Sequence, residues 1–158
     1  MTRWKNANPA NLGAAAELIV AAEFALSGYQ VFRPLVDDRG VDLLIDRGDG
    51  QHLLVQVKSS RMNYVFMRKK SFPLDDYRAL ALLVYPPDSE QPELFVIPAA
   101  AWRTPAPPLV SRDYDKPGLK SPPEWGVNFS TTWRSQLAPW RMKPGDPLPT
   151  AFAPTPPS

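Results

Sequence analysis

The sequence predicts a mixed α/β domain, with an apolar helix leading into a hairpin-containing mixed sheet flanked by helices. Three observations carry this reading. Residues 12–26 are apolar at helical spacing between an asparagine cap and Gly28. Residues 41–46 and 51–59 read as strands around the glycine-bearing turn Arg47-Gly48-Asp49-Gly50. Two further apolar runs, 80–85 and 93–97, flank Pro86-Pro87-Asp88. The 158 residues are 44% hydrophobic and 22% charged, enough for one domain with a real core.

The elements follow in order. Asn8 or Asn11 caps a helix that ends near Ser27. Leu12, Leu18, Ile19, Val20, Phe24 and Leu26 make it apolar nearly all round, so it is expected to pack on more than one side. Glu17 is its anomaly. Its neighbours at i±3 and i±4 are Gly13, Ala14, Val20 and Ala21, none able to pair with a carboxylate. A buried carboxylate there needs a partner from elsewhere, a proton or a metal.

Tyr29 to Val36 reads as an edge strand because of Pro34, and Asp37 and Asp38 shape the loop before Gly40. In the next hairpin a three-residue loop, Gly48-Asp49-Gly50, sets Asp42 opposite Gln56 and gathers Asp42, Gln56 and Lys58 on one face. A two-residue loop would turn Asp42 away. Tyr64 to Arg68 is expected to extend the sheet, and Leu74 to Arg78 to form a short helix.

Fourteen of the twenty prolines fall between Pro98 and Pro157, which divides the chain. Residues 1–100 read as the core. Residues 101–142, with Trp102, Trp125, Trp133 and Trp140, read as an extension packed on it, and 143–158 as a flexible proline-rich tail.

Absences narrow the chemistry. Without cysteine, disulfides, thiolate metal sites and thiol catalysis are excluded, and the lone His52 excludes a multi-histidine centre within one chain. Met1 to Asn11 lacks a signal-like apolar core. Leu12 to Leu26 carries Glu17 and Glu23 and reads as too short for a bilayer. The expectation is a soluble cytoplasmic protein with no membrane partner.

The net charge of +2 conceals an asymmetry. Residues 1–57 hold five basic and seven acidic side chains, whereas 58–78 hold six basic and two acidic. Such a border sets metal-binding carboxylates beside a phosphate-binding surface.

Three segments converge on that border: Gly13-Ala-Ala-Ala-Glu17, Gly40-Val41-Asp42-Leu43-Leu44-Ile45, and Val55-Gln56-Val57-Lys58-Ser59-Ser60. In these residues the sequence resembles the PD-(D/E)XK nuclease superfamily, over roughly residues 10–100. Within it, the chain is similar to the Holliday-junction-resolvase-like and intron-associated homing endonuclease branches. Val41 stands where the superfamily name has proline, and Gln56 replaces an acidic residue. The resemblance implies a restriction-endonuclease-like fold and a metal-dependent DNA endonuclease using Mg²⁺ or Mn²⁺.

In that reading Asp42, Gln56, the Val57 carbonyl and Glu17 hold the metal, and Lys58 orients water and stabilises charge. This suits phosphodiester hydrolysis, which needs a hard cation with oxygen ligands and a cationic group at the phosphate. Ser59, Ser60, Arg61, Arg68, Lys69 and Lys70 are expected to contact nucleic acid, with Tyr64 and Phe66 interleaved for stacking. A homodimer would let a one-site chain cut two strands. The alternatives are a catalytically weak or inactive nucleic-acid-binding module of the same fold, and a protein-interaction module built on the Trp- and Pro-rich C-terminal part.

Overall fold

The computed structural model describes residues 2–48 and 50–152. Asn8 accepts a hydrogen bond from the Asn11 N–H at 2.8 Å, Pro9 sits at the first helical turn, and helix α1 runs Pro9–Leu26. Gly28, at φ +94°, turns the chain out of it. Leu12, Ala16, Val20 and Phe24, one every fourth residue, are buried. Leu18 and Leu26 are exposed, so the helix packs on one side only and not on several. Alanines at 14, 22 and 25 supply much of the outward face and keep its apolar area small. At 18 residues α1 is long and apolar enough to cross a bilayer, which corrects the expectation on length. Here its buried stripe lies on a sheet.

That sheet has five strands: β1 (Gln30–Phe32), β2 (Leu43–Asp46), β3 (His52–Ser60), β5 (Arg78–Val84) and β6 (Glu93–Pro98), in the order β1-β2-β3-β5-β6. β3 and β5 are parallel and the other pairs antiparallel. β1 is the predicted edge strand, shortened to three residues ahead of Pro34. Trp4, α1 and the inward residues of β2, β3, β5 and β6 form the first core, with Leu43, Ile45, Leu53, Val55 and Val57 fully or almost fully buried.

A second, three-stranded antiparallel sheet is built from β4 (Tyr64–Arg68), β7 (Leu109–Arg112) and β8 (Glu124–Asn128), in the order β4-β8-β7. β4 therefore does not extend the first sheet as expected. The flank of β3 on that side is taken by β5, from Leu54 opposite Arg78 to Ser60 opposite Val84, and β4 pairs with β8 instead. The expected helix at 74–78 is likewise absent. Tyr77 C=O accepts from Leu54 N–H at 2.8 Å, and that pairing holds the chain extended into β5 after Pro73.

Val65, Met67, Val127, Trp102 and Phe72 of this second layer pack on Leu80, Leu82, Val84, Phe95 and Ile97 to form a second core. β5, buried along its whole length, lies between the two cores, which is why it reads as an unbroken apolar run. The 101–142 region thus supplies strands and core side chains. Beyond it Leu148 and Phe152 are buried in the first core, Leu148 N–H donates to the Tyr29 hydroxyl at 2.9 Å, and the Arg47 guanidinium donates to the Phe152 carbonyl. The segment anticipated as a loose tail is tied down as far as Phe152. Residues 153–158 of that tail, and Asp49 of the hairpin loop, lie outside the described residues.

Phe152→Ala is expected to lower stability by about 3 kcal/mol, as for other buried phenylalanines. Urea denaturation checks this, and an unchanged midpoint would mean that the C-terminal segment contributes nothing to the core.

Candidate active site

The second layer reaches β5 and β6 but supplies no partner to β2 or β3, whose residues are missing from the second core. The outward residues of those two strands are therefore half-buried: Leu44 and Asp46 on β2, Leu54, Gln56 and Lys58 on β3. The hairpin register is the one expected, with Leu43 opposite Val55, Leu44 opposite Leu54 and Asp46 opposite His52. Arg47 N–H donates to Gln51 C=O at 3.1 Å, which leaves three residues in the loop, and Gly48 and Gly50 both have positive φ. The paired register ends at Leu43 opposite Val55, and the expected pairing of Asp42 with Gln56 is not formed among the described residues.

The ladder changes character at that point. Asp42 N–H donates to Val55 C=O at 2.9 Å, and Val57 N–H donates to the Asp42 carboxylate oxygen Oδ2 at 2.7 Å. The side chain of Asp42 thus takes a ladder donor and is fixed by it. Burial pushes the Asp42 carboxyl up to about 6; the Val57 N–H pulls it down, while a hydrogen bond with Asp37 and the charges of Asp37 and Glu17 raise it. Asp37 is the site residue that sequence reasoning assigned to loop shaping. Its only sequence signal is an acidic pair just before Gly40.

Gln56 Oε1 is buried with no hydrogen-bond partner among the described residues. On the other end of its amide lies Gly40: a Cβ there would be 3.3 Å from Gln56 Nε2 and 3.1 Å from the Ser71 carbonyl, at a backbone φ of +72°. Only glycine serves both the turn and the close approach. Ser71 ends a short 3-10 turn, Lys69–Ser71, that follows β4. Lys58 makes no ion pair or hydrogen bond among the described residues.

Glu17 is half-buried on α1, and its carboxylate is held by Arg33 just past β1 at 3.1 Å. The partner that the helix itself could not supply comes from the edge of the sheet. Glu17 acts on Asp42 through its charge. Among the described residues no three His, Asp or Glu side chains converge closely enough to hold a metal by themselves. A cation here would rely on mixed oxygens. The Asp42 carboxylate and the unsatisfied Gln56 Oε1 suit a hard cation, with Asp37 nearby and the Val57 carbonyl as a neutral donor.

The expected phosphate-contacting residues divide. Arg61 donates to the main-chain carbonyls of Trp4 and Lys5, Ser59 Oγ lies 3.5 Å from the Leu12 carbonyl, and Ser60 Oγ accepts from Met62 N–H. Lys69 Nζ bonds Ser111 and Asp113 and sits 3.8 Å from the centre of the Trp125 ring. These four hold the fold together. Arg68 and Lys70 are exposed and make no such bond among the described residues.

The fold is similar to that of two solved nucleases. One is Hjc, a Holliday junction resolvase from the archaeal hyperthermophile Archaeoglobus fulgidus. It matches at a TM-score of 0.52 and 11% identity, over 83% of this chain and 90% of that one. The other is the bacterial homing endonuclease I-Ssp6803I, at a TM-score of 0.52 and 21% identity, over 72% of this chain and 85% of that one. The architecture is restriction-endonuclease-like. No protein-family model and no curated protein sequence matches the chain.

The Asp42 environment has a testable consequence. Between 3.8 and about 6 the native protein binds more protons than the unfolded chain, so Asp42 lowers stability as pH rises through that window and keeps it lowered above. Asp42→Asn retains an oxygen for Val57 N–H and removes the charge. It is expected to melt several degrees higher than wild type at pH 8, with the gap closing by pH 4. Calorimetry across that range checks it; a gap independent of pH would refute the assignment.

Proposed function

We propose that this protein is a metal-dependent DNA endonuclease. The observation that supports the reading is a buried Gln56 Oε1 without a hydrogen-bond partner among the described residues, on the half-buried face of β3 that also carries Lys58, with the Asp42 carboxylate fixed beside it on Val57 N–H. The two nuclease folds similar to this chain support it at the level of architecture.

Asp42 and Gln56 Oε1 would bind Mg²⁺ or Mn²⁺, with the Val57 carbonyl as a further oxygen and Asp37 and Glu17 adding negative charge. A bound cation of this kind would polarise the phosphate and help to neutralise its developing charge. Lys58 orients the attacking water and donates hydrogen bonds to the phosphate oxygens as they gain charge. The water oxygen bonds to phosphorus, one phosphorus–oxygen ester bond breaks, and the departing oxygen takes a proton. Asp42 must be ionised to take part, so metal binding weakens as pH falls below about 6. A homodimer accounts for cutting both strands with one site per chain.

A second reading has a specific observation behind it. Gln56 is neutral and Glu17 is engaged by Arg33, so the site holds less available negative charge than a set of free carboxylates. That favours a DNA-binding module with weak or no cleavage.

A nuclease assay with Mg²⁺ or Mn²⁺ on linear, supercoiled and branched DNA and on RNA decides between the two. Cleavage of DNA is expected, with a loss of at least about a hundredfold in Lys58→Ala and Asp42→Asn, the size typical of removing one charge-stabilising group. DNA binding without cleavage by the wild type would leave the binding module standing, and equal cleavage by both variants would remove these residues from the chemistry.

A further inference from the structure

The outward face of the second sheet carries a feature that hydrolysis at Asp42 does not use. Phe66, in the middle of β4, is 50% exposed, although its neighbours Val65 and Met67 are buried. The residue opposite it is Gly126, which puts no side chain against the ring. Gly126 is glycine for a reason: a Cβ there would lie 2.1 Å from the Tyr64 hydroxyl oxygen. Tyr64 lies across the strand at that point and donates to Glu124 at 2.8 Å, and Tyr114 donates to the same carboxylate. Burial and the Glu124 acceptor push the Tyr64 phenol far up, so it stays a donor.

This buried Glu124 cluster positions an arginine. Arg112 is exposed, and its guanidinium sits 4.9 Å from the centre of the Tyr64 ring and bonds the Tyr114 hydroxyl. The strand register sets Arg68 and Arg112 on either side of Glu124. The face thus presents one open aromatic ring flanked by two exposed arginines, and the single acid among them is buried and engaged. The Tyr64 ring is overlaid by Arg112 and is not the stacking surface that the sequence suggested. Phe66 remains.

We propose that this face is a platform for a single strand of DNA, with a base stacked on Phe66 and phosphates held by Arg68 and Arg112. An exposed ring on a flat sheet with cations at its margin matches an unpaired base and its backbone, whereas a duplex keeps its base faces stacked inside. The charge complementarity favours this occupant over an apolar protein surface. The platform also lies close to the site: Arg68 leads directly into the turn whose last residue, Ser71, packs against Gly40 and so beside Gln56. That the strand is DNA rests on the nuclease reading above; the platform rests on its own geometry.

The test is binding, free of cleavage. Fluorescence anisotropy with a labelled thymidine oligonucleotide is measured in EDTA, against a hairpin duplex and a uridine RNA of equal length. Wild type is expected to prefer the single-stranded DNA. Phe66→Ala should weaken its binding about tenfold, the size of one lost stacking contact, with Phe66→Trp restoring it. Arg68→Ala and Arg112→Ala should flatten the salt dependence. An exposed ring can be truncated without opening the core, and an unchanged melting point verifies that. Equal oligonucleotide affinity for Phe66→Ala, or preference for the duplex, would overturn the platform. Tighter binding of RNA would overturn its assignment to DNA. A shift in oligomeric state on Phe66→Ala would show that a second copy covers the face. Failure of the cleavage assay alone leaves the platform intact.

Discussion

A five-stranded sheet covered along one face but only over β5 and β6 on the other is the constraint from which the rest follows. On the first face α1 and the C-terminal segment ending in Phe152 bury the inward residues of β2, β3, β5 and β6. On the second face the β4-β8-β7 layer reaches β5 and β6 and no further. β5 is consequently apolar on both sides, and β3 alternates, with Leu53, Val55 and Val57 inward and Leu54, Gln56 and Lys58 half-buried. The half-burial matters chemically. Full cover would force Lys58 and Asp42 to pair or neutralise, and full exposure would leave the carboxyl of Asp42 at its ordinary acidity. The edge of the second layer sets the dielectric of the site.

Within that edge, Asp42 and Gln56 embody opposed demands. Asp42 is anchored by Val57 N–H, yet burial and two neighbouring acids make its ionised form unfavourable. Gln56 keeps a buried oxygen without a donor. Both are unfavourable for folding by themselves, since a buried acceptor without a partner and a crowded carboxylate each destabilise. A single positively charged ligand held by both would relieve both at once, which is the physical argument for the proposed cation. The Glu17–Arg33 pair works in the opposite direction, since it neutralises one acid and ties α1 to the edge of the sheet.

The parts of the fold legible in the sequence are those set by local chemistry. The Asn8 cap, the edge character of a strand ending at Pro34 and the three-residue hairpin loop are each fixed within a few residues. The hairpin is the instructive case, because one local feature, two glycines in a turn, sets the register from Asp46 opposite His52 to Leu43 opposite Val55. What escaped was decided by distant partners. β4 shows a strand pattern, but nothing near Tyr64 reveals that β8, about sixty residues on, is its partner. Tyr77 joins β3 through a hydrogen bond from Leu54, against a short-range helical tendency. At the site the same division holds. Asp42, Gln56 and Lys58 share a hairpin and are readable together, whereas Asp37 enters through a loop, and Arg33 reaches Glu17 across sixteen residues.

The proline-rich half acquires a physical role from this arrangement. Pro108 directly precedes β7 and Pro123 directly precedes β8, so prolines set the start of two strands of four and five residues. The layer they form packs on β5 and β6 and leaves the outward residues of the hairpin half-buried. On the outer surface of that layer Phe66 and Arg112 stay exposed, while Tyr64 and Tyr114 donate to the buried Glu124 beneath. The proline-rich half thus supplies two of the three strands of the layer whose edge leaves the hairpin open, with a proline at the start of each.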